Sequence, residues 1–240
     1  MINMMHHSAH GDRKEITPAE EEYLEAIFTC ANGSDQVVKT GELANQLHVK
    51  APSVVQMLEK LKKKKLVDYE RHTGVKLTKK GREIAAKIVR RHDLAERLLV
   101  DVFGEELHKV HDDACKLEHA IDDELANKIE KTLGNPNTCP HGSPIPTTNG
   151  RIPRADRTEL VDVGEGKECT ITTIPEEREA VQRLLSLNIL PKSKIKVIEK
   201  LPRGAILVQC GDTQVALSRD VASQILVRGK KRARHRWGRG

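Results

Sequence analysis

The sequence predicts an α+β chain: an N-terminal winged helix-turn-helix, a helical middle and a small β-barrel at the end. Three observations carry this reading. Two short helical patterns across a tight turn are followed by two alternating stretches around His72-Thr73-Gly74. The middle of the chain repeats apolar residues at helical spacing over two long runs. From Thr158 onward the pattern changes to short strands interrupted by a single helix.

Length and composition bound the answer further. A chain of 240 residues can hold one or two domains with ordinary cores, and with aromatics at only 2% those cores must be aliphatic. Five scattered cysteines, an odd number, argue against a secreted disulfide framework and for a reducing cytoplasm. No run of about 18 apolar residues exists, so no membrane-spanning helix is expected. The opening 1–16, with His6, His7 and His10, lacks the basic start and apolar core of a signal peptide and is expected to be disordered. The net charge of +6 is carried by the end of the chain: residues 228–240 hold seven Lys or Arg and no acid. Such a basic tail, 229–240 with Trp237, can neutralise phosphates without reading sequence, or simply aid solubility.

The elements follow in order. Thr17-Pro18 followed by Glu20, Glu21 and Glu22 has the signature of a helix start, and Tyr23, Leu24 and Ile27 give that helix an apolar side to about residue 30. Over 38–61, Thr40 is expected to cap a short helix, and the turn His48-Val49-Lys50 leads into a second helix opened by Ala51-Pro52-Ser53. In that second helix Val54, Met57, Leu58 and Leu61 fall on one side. Ser53, Gln56 and Lys60 fall on the other, where a DNA major groove could receive them. Glutamine suits bidentate contact with adenine, while serine and lysine serve phosphates or base edges. Strands over 66–71 and 75–77 form a wing bearing Arg71 and Lys76, and Lys62 to Lys65, Lys79 and Lys80 surround it. These features mark 17–80 as a DNA-binding domain.

Thr78 is expected to cap a long helix through about residue 103, where Gly104 interrupts it, and a further helix spans 106–133. This helical domain, 81–134, carries the densest chemistry. Residues i, i+4, i+7 and i+8 of a helix share one face, so His111, Cys115, Glu118 and His119 leave the same side. His92 and Glu96 repeat the i, i+4 arrangement upstream. Sulfur with imidazole and carboxylate suits a borderline first-row divalent ion better than magnesium or calcium. The stretch 135–157, rich in Pro, Gly, Asn and Thr, is expected to be a linker. Within it Cys139 and His141 are too close together and too isolated for a zinc site. Strands follow in 158–228, with one helix over 175–187.

The run His92-Asp93-Leu94-Ala95-Glu96, followed by His111-Asp112-Asp113-Ala114-Cys115-Lys116-Leu117-Glu118-His119, resembles the metal-binding core of the diphtheria toxin repressor family of iron- and manganese-dependent transcription factors. The similarity extends from about Thr17 to Arg228. It implies a winged helix with Pro52 and Gln56 at recognition-helix positions, a homodimer formed through the helical domain, and an SH3-like final domain of the kind found in ferrous-iron transport accessory proteins. It also implies two sites for Fe²⁺ or Mn²⁺: a primary one of Glu22, Cys115, Glu118 and His119, and a second of His92, Glu96 and His111 joined by Glu177. Glu22 is a hard ligand and Cys115 a soft one, which leaves the metal open. Ala180 stands where another ligand is expected, so Glu177 acts alone or with Glu176 or Glu179. Asp93, Cys139 and Ser143 replace residues that hold an anion in some relatives.

The expected function is therefore a non-enzymatic, metal-dependent regulator that binds double-stranded operator DNA and represses metal-uptake genes. Two alternatives remain: a winged-helix protein whose DNA binding ignores metal, and a metallohydrolase, for which the sequence lacks an H-E-x-x-H motif.

Overall fold

The computed structural model describes residues 16–153 and 156–229 in two compact units, one of residues up to Arg91 with Pro146–Ile152, the other of His92–Ile145 with the residues from Pro153 on. The expected disordered start and basic tail lie outside the described residues, apart from Ile16 and Gly229.

In the first unit, α1 (Pro18–Cys30) begins where Thr17 and Glu20 cap each other: the Glu20 amide donates to Thr17 Oγ1, and the Thr17 amide donates to Glu20 Oε2 at 2.7 Å. α2 (Thr40–Gln46) and α3 (Ala51–Lys63) follow, separated by a turn in which His48 adopts φ +51°. Thr40 does not cap α2. Lys39 holds the cap position and Thr40 is already helical. The wing is β1 (Val67–Glu70) paired antiparallel with β2 (Gly74–Leu77), and Val38 bridges to Val75 as an unforeseen third rung. Thr78 does cap α4 (Lys79–Asp101), accepting from the Gly81 amide at 3.1 Å. The core is mainly aliphatic as expected, built on Leu24, Ile27, Leu43, Val54, Leu58, Leu61, Val75 and Ile88, joined by the buried aromatics Tyr23, Phe28 and Tyr69.

The second unit takes the C-terminal part of α4, which stops as foreseen at Gly104. With φ +71° there, the Glu105 amide reaches back to the Leu99 carbonyl, closing off the last turn. The single helix expected over 106–133 is two, α5 (Val110–Glu118) and α6 (Asp123–Thr132). The break has a local cause: Asp122 adopts extended backbone and its carboxylate accepts from the Leu125 amide, starting a new helix with Asp123 and Glu124 in its first turn. Leu94, Ala114, Ile121, Ala126, Ile129 and Ile145 pack between these helices.

The β domain comprises β3 (Thr158–Glu159), β4 (Glu168–Thr173), α7 (Arg178–Ser186), β5 (Lys194–Lys200), β6 (Ile206–Cys210), β7 (Thr213–Leu217), α8 (Arg219–Gln224) and β8 (Leu226–Gly229). Its antiparallel sheet has the order β3-β8-β4-β5-β6-β7. The strands fall close to their expected places, but α8, capped by Ser218, was not anticipated. The first expected strand is mostly a 3-10 turn, Leu160–Asp162. Among the described residues the five cysteines are free, and no helix is long and apolar enough to cross a membrane.

The stretch expected to be a linker is packed at its start. Cys139, His141, Gly142 and Ile145 are buried, because Pro140 and a left-handed Gly142 (φ +92°) fold 139–143 into a tight turn in which the Gly142 amide donates to the Cys139 carbonyl.

Candidate metal centre and nucleic-acid interface

On the first unit, α3 buries Val54, Leu58 and Leu61 and turns its other side to solvent. Lys50, Pro52, Ser53, Gln56, Lys60, Arg71 and Lys76 are all exposed. Met57, expected on the apolar side, is only half-buried. Two of the lysines also have structural partners. Lys60 pairs with Glu20 at 3.3 Å, alongside Lys64, and Lys76 lies 3.8 Å from Asp68. Buried Glu20 is held at about 2, because the bonds from Lys64, the Thr17 backbone and Lys60 outweigh the upward push of burial. Glu22 sits exposed on α1.

In the second unit, α4 and α5 bring buried donors together. His92 Nδ1 lies 2.7 Å from Glu118 Oε2, and His92 Nε2 lies 3.4 Å from Glu96 Oε1. Cys115 Sγ is 3.9 Å from His92 Nδ1 and 3.7 Å from His111 Nε2. His119, at the C-cap of α5, faces the other Glu118 oxygen at 3.6 Å. His92, His111 and Cys115 thus present ligand atoms all within 4.8 Å of one another.

A second cluster adjoins it. Glu96, Cys139, His141 and Glu176 also offer ligand atoms within 4.8 Å. His141 Nδ1 is 3.1 Å from Glu96 Oε2, while its Nε2 is 3.2 Å from the Leu107 carbonyl. Nε2 must donate to that carbonyl, so the Nδ1 lone pair meets a carboxylate unless a proton or a metal ion lies between them. His111 Nδ1 stands 3.7 Å from Glu96 and 3.6 Å from Glu176.

Sequence reasoning considered Cys139 and His141 and set them aside, since two residues apart in a proline-rich segment they have no helical periodicity to link them to other donors. Among the adjacent acids it put Glu177 first, alone or with Glu176 or Glu179. Glu177 is the N-cap of α7, and its two carboxylate oxygens accept from the Glu179 and Ala180 amides at 2.9 Å. Glu176 reaches the cluster instead.

The electrostatics match a cation-binding centre. Burial alone would drive His92 neutral, yet Cys115, Glu118 and Glu96 hold it well above its usual pKa. His111 is likewise raised to about 11 against burial, by Cys115, Glu96 and Glu176. Burial pushes the Cys115 thiol up, but the two imidazoles bring it down to about 7. Glu96 stays well below the carboxylate range because His111, His141 and His92 overcome its burial. Burial, with the Glu96, Asp93 and Glu176 charges, raises Cys139 well above the usual thiol value. Buried Glu96 Oε1, His92 Nε2 and His111 Nδ1 make no hydrogen bond despite standing close together. Such orphaned, converging polar atoms fit a site that a divalent ion could occupy, with these residues as its ligands.

Comparison with known proteins agrees with this arrangement. Family models match consecutively: the iron dependent repressor N-terminal DNA binding domain over residues 15–75, the iron dependent repressor metal binding and dimerisation domain over 78–147, and the FeoA domain over 158–229. A solved manganese-dependent transcriptional repressor in complex with manganese is 31% identical, with a TM-score of 0.78, and 88% of this chain covers 100% of that one. The chain belongs to the iron-dependent repressor family. Among its relatives in that family, the iron-dependent repressor IdeR of Mycobacterium tuberculosis (strain ATCC 25618 / H37Rv) is 29% identical over 227 residues, covering 89% of this chain and 98% of its own. The diphtheria toxin repressor of Corynebacterium diphtheriae is 27% identical over 228 residues with the same coverage. As an iron-dependent repressor family member, the chain has its winged helix, metal-binding helices and FeoA-type β domain in that order.

Proposed function

We propose that the protein is a metal-dependent DNA-binding transcriptional repressor, acting as a homodimer in the cytoplasm on genes of metal uptake. The observation that carries this reading is the convergence of His92, Glu96 and His111, with orphaned buried donor atoms, in a chain that also presents an exposed basic recognition helix. Two centres per subunit are proposed for Fe²⁺ or Mn²⁺. One uses Glu96, Cys139, His141 and Glu176, next to His111. The other draws on Cys115, Glu118 and His119 with His92, and Glu22 is proposed to complete it from α1. Thiolate, imidazole and carboxylate together favour a borderline first-row ion. The bound cation supplies the positive charge that holds these donors together.

The residues do the rest. Ligands must be unprotonated to bind, so any of these side chains that carries a proton in the metal-free protein would release it on loading, and metal affinity would fall as the pH falls. A ligand at 100 times its dissociation constant stabilises the form that binds it by about 2.7 kcal/mol, within the range of about 1–3 kcal/mol typical of coupling between sites. That suffices to turn weak DNA binding into operator occupancy. Ser53 and Gln56 face base edges, while Lys50, Lys60, Arg71 and Lys76 serve the phosphates. Transcriptional repressors are not enzymes, and no catalytic role is assigned to any residue.

The test is fluorescence anisotropy on a selected pool of duplex DNA, with Mn²⁺ or anaerobic Fe²⁺ and then with chelator. Binding that survives chelation equally well would favour the metal-independent winged-helix alternative. Loss of the metal effect in Glu118→Ala and His141→Ala would support the proposal.

A further inference from the structure

Three of the four donors in the Glu96 cluster, Cys139, His141 and Glu176, belong to one small junction in the second unit, where the 139–143 turn lies against the end of β4. The seam is made of backbone and side-chain bonds. The Ile174 amide donates to the His141 carbonyl at 3.0 Å, and Thr173 Oγ1 donates to the Gly142 carbonyl at 3.2 Å. Arg157, preceding β3, donates from Nη1 to the same Thr173 oxygen at 2.9 Å, fixing the direction in which its hydroxyl can donate. The approach is so close that a Cβ on residue 142 would stand 1.9 Å from the Thr172 carbonyl oxygen, and φ +92° there independently requires glycine. Three residues past Thr173, the same chain supplies Glu176.

We infer that Arg157, Thr173 and Gly142 are positioning residues of the metal centre: they clamp the turn bearing Cys139 and His141 onto β4, so the β domain sets the geometry, and hence the metal affinity, of the site. The inference rests on the metal reading of the Glu96 cluster given above. Its chemistry is that of outer hydrogen bonds that orient ligands, whose loss typically costs 10–100-fold in metal affinity. None of the three is among the donors of the cluster. They act by fixing where the thiol and imidazole point, and the cost of ordering the turn is met on folding rather than on binding.

The test uses full-length protein and three variants of the seam, with two of the ligand turn besides. Thr173→Val removes the hydroxyl and keeps the shape, Thr173→Ser restores the hydroxyl, and Arg157→Gln, at a half-buried site, guards against misfolding of the first. Two readouts are taken: the rate at which iodoacetamide alkylates Cys139 in metal-free protein, followed by peptide mass spectrometry, and Mn²⁺ affinity by titration calorimetry. Cys139 is 2% exposed, so its alkylation reports opening of the turn with no metal present. Thr173→Val and Arg157→Gln are expected to raise that rate about tenfold and to weaken Mn²⁺ binding about 10–100-fold, while Thr173→Ser behaves as wild type on both. Unchanged alkylation, or faster alkylation with unchanged Mn²⁺ affinity, overturns the positioning role. Cys139→Ala and His141→Ala separate the two levels. If they leave the Mn²⁺ titration intact, the metal reading of this cluster fails and takes the inference with it. If they remove one equivalent of Mn²⁺ while Thr173→Val changes nothing, the inference alone fails.

Discussion

Glu20 illustrates how much a single carboxylate can do before any metal is considered. It is fully buried, closes the capping box of α1 and pairs with Lys60 and Lys64, which together hold its pKa near 2. A carboxylate depressed in the folded state stabilises that state above its ordinary pKa of 4.5, and the contribution fades as pH falls toward 2. With Lys60 half in solvent, the effect is expected to be about 2 kcal/mol at neutral pH. Urea denaturation of wild type and Glu20→Gln should therefore show a gap of that size at pH 7 that narrows below about pH 4.5 and closes only toward pH 2. A gap independent of pH would mean that shape, not charge, is what Glu20 contributes. The adjacent acids Glu176 and Glu177 give a second contrast. Glu177→Ala removes the cap of α7 and should cost about 1 kcal/mol of stability with metal binding kept. Glu176→Ala should weaken Mn²⁺ binding at the centre at least tenfold and leave the thermal midpoint of the metal-free protein nearly unchanged. Paired calorimetric scans and Mn²⁺ titrations of the two variants decide this, and an exchange of the two outcomes would restore Glu177 as the ligand.

At the scale of elements, what was legible in the sequence was what is encoded locally. Thr17-Pro18, Thr78 and Gly104 mark the ends of α1 and α4 because a cap or a left-handed residue acts on its own turn. The i, i+4 pair His92 and Glu96 and the donors of α5 were legible because helical periodicity alone puts them on one face. The break at Asp122 is also encoded locally, in the carboxylate that caps the Leu125 amide, but the apolar spacing continues across it and hides it. Cys139 and His141 were out of reach for a different reason. Only packing against β4 brings their turn to Glu96, and no periodicity connects residues 43 to 45 positions apart. Glu176 lost to Glu177 because the choice depends on where α7 starts, and the acid taken up in capping is no longer free to bind an ion. If Gln56 reads an adenine edge, Gln56→Ala should lose about 1–3 kcal/mol of preference for its base pair while keeping most non-specific affinity. Lys50→Ala should instead weaken all duplexes alike and flatten the salt dependence by about one unit of slope. Anisotropy titrations against operator and scrambled DNA at several salt concentrations distinguish the two, and equal losses on both sequences for Gln56→Ala would move it to the phosphate class.

For the whole molecule, the second unit leaves large apolar side chains in solvent: Phe103 at 69% and Val102 at 55% just beyond α4, with Leu117 on α5 and Leu125 on α6. Isolated exposed leucines are ordinary, but an almost uncovered Phe in a chain with only 2 Phe is a poor use of a scarce large side chain unless something covers it. A second copy is the proposed cover, since two reading heads on one two-fold axis would match a pseudo-palindromic operator whose half-sites lie about 10 base pairs, or a multiple, apart. Phe103→Glu puts a charge where apolar area is to be buried, and should raise the dimer dissociation constant tenfold or more. Coupling makes a further demand. Because each monomer would hold only one half-site, operator affinity should fall steeply with protein dilution in the variant, yet Mn²⁺ affinity per subunit should change little. Sedimentation velocity across a dilution series, run beside Mn²⁺ calorimetry and operator titration, tests all three quantities together. A variant that sediments as wild type at every concentration would place the subunit contact elsewhere on the helical unit. One that loses Mn²⁺ binding along with the dimer would mean that the metal centres are completed only on assembly.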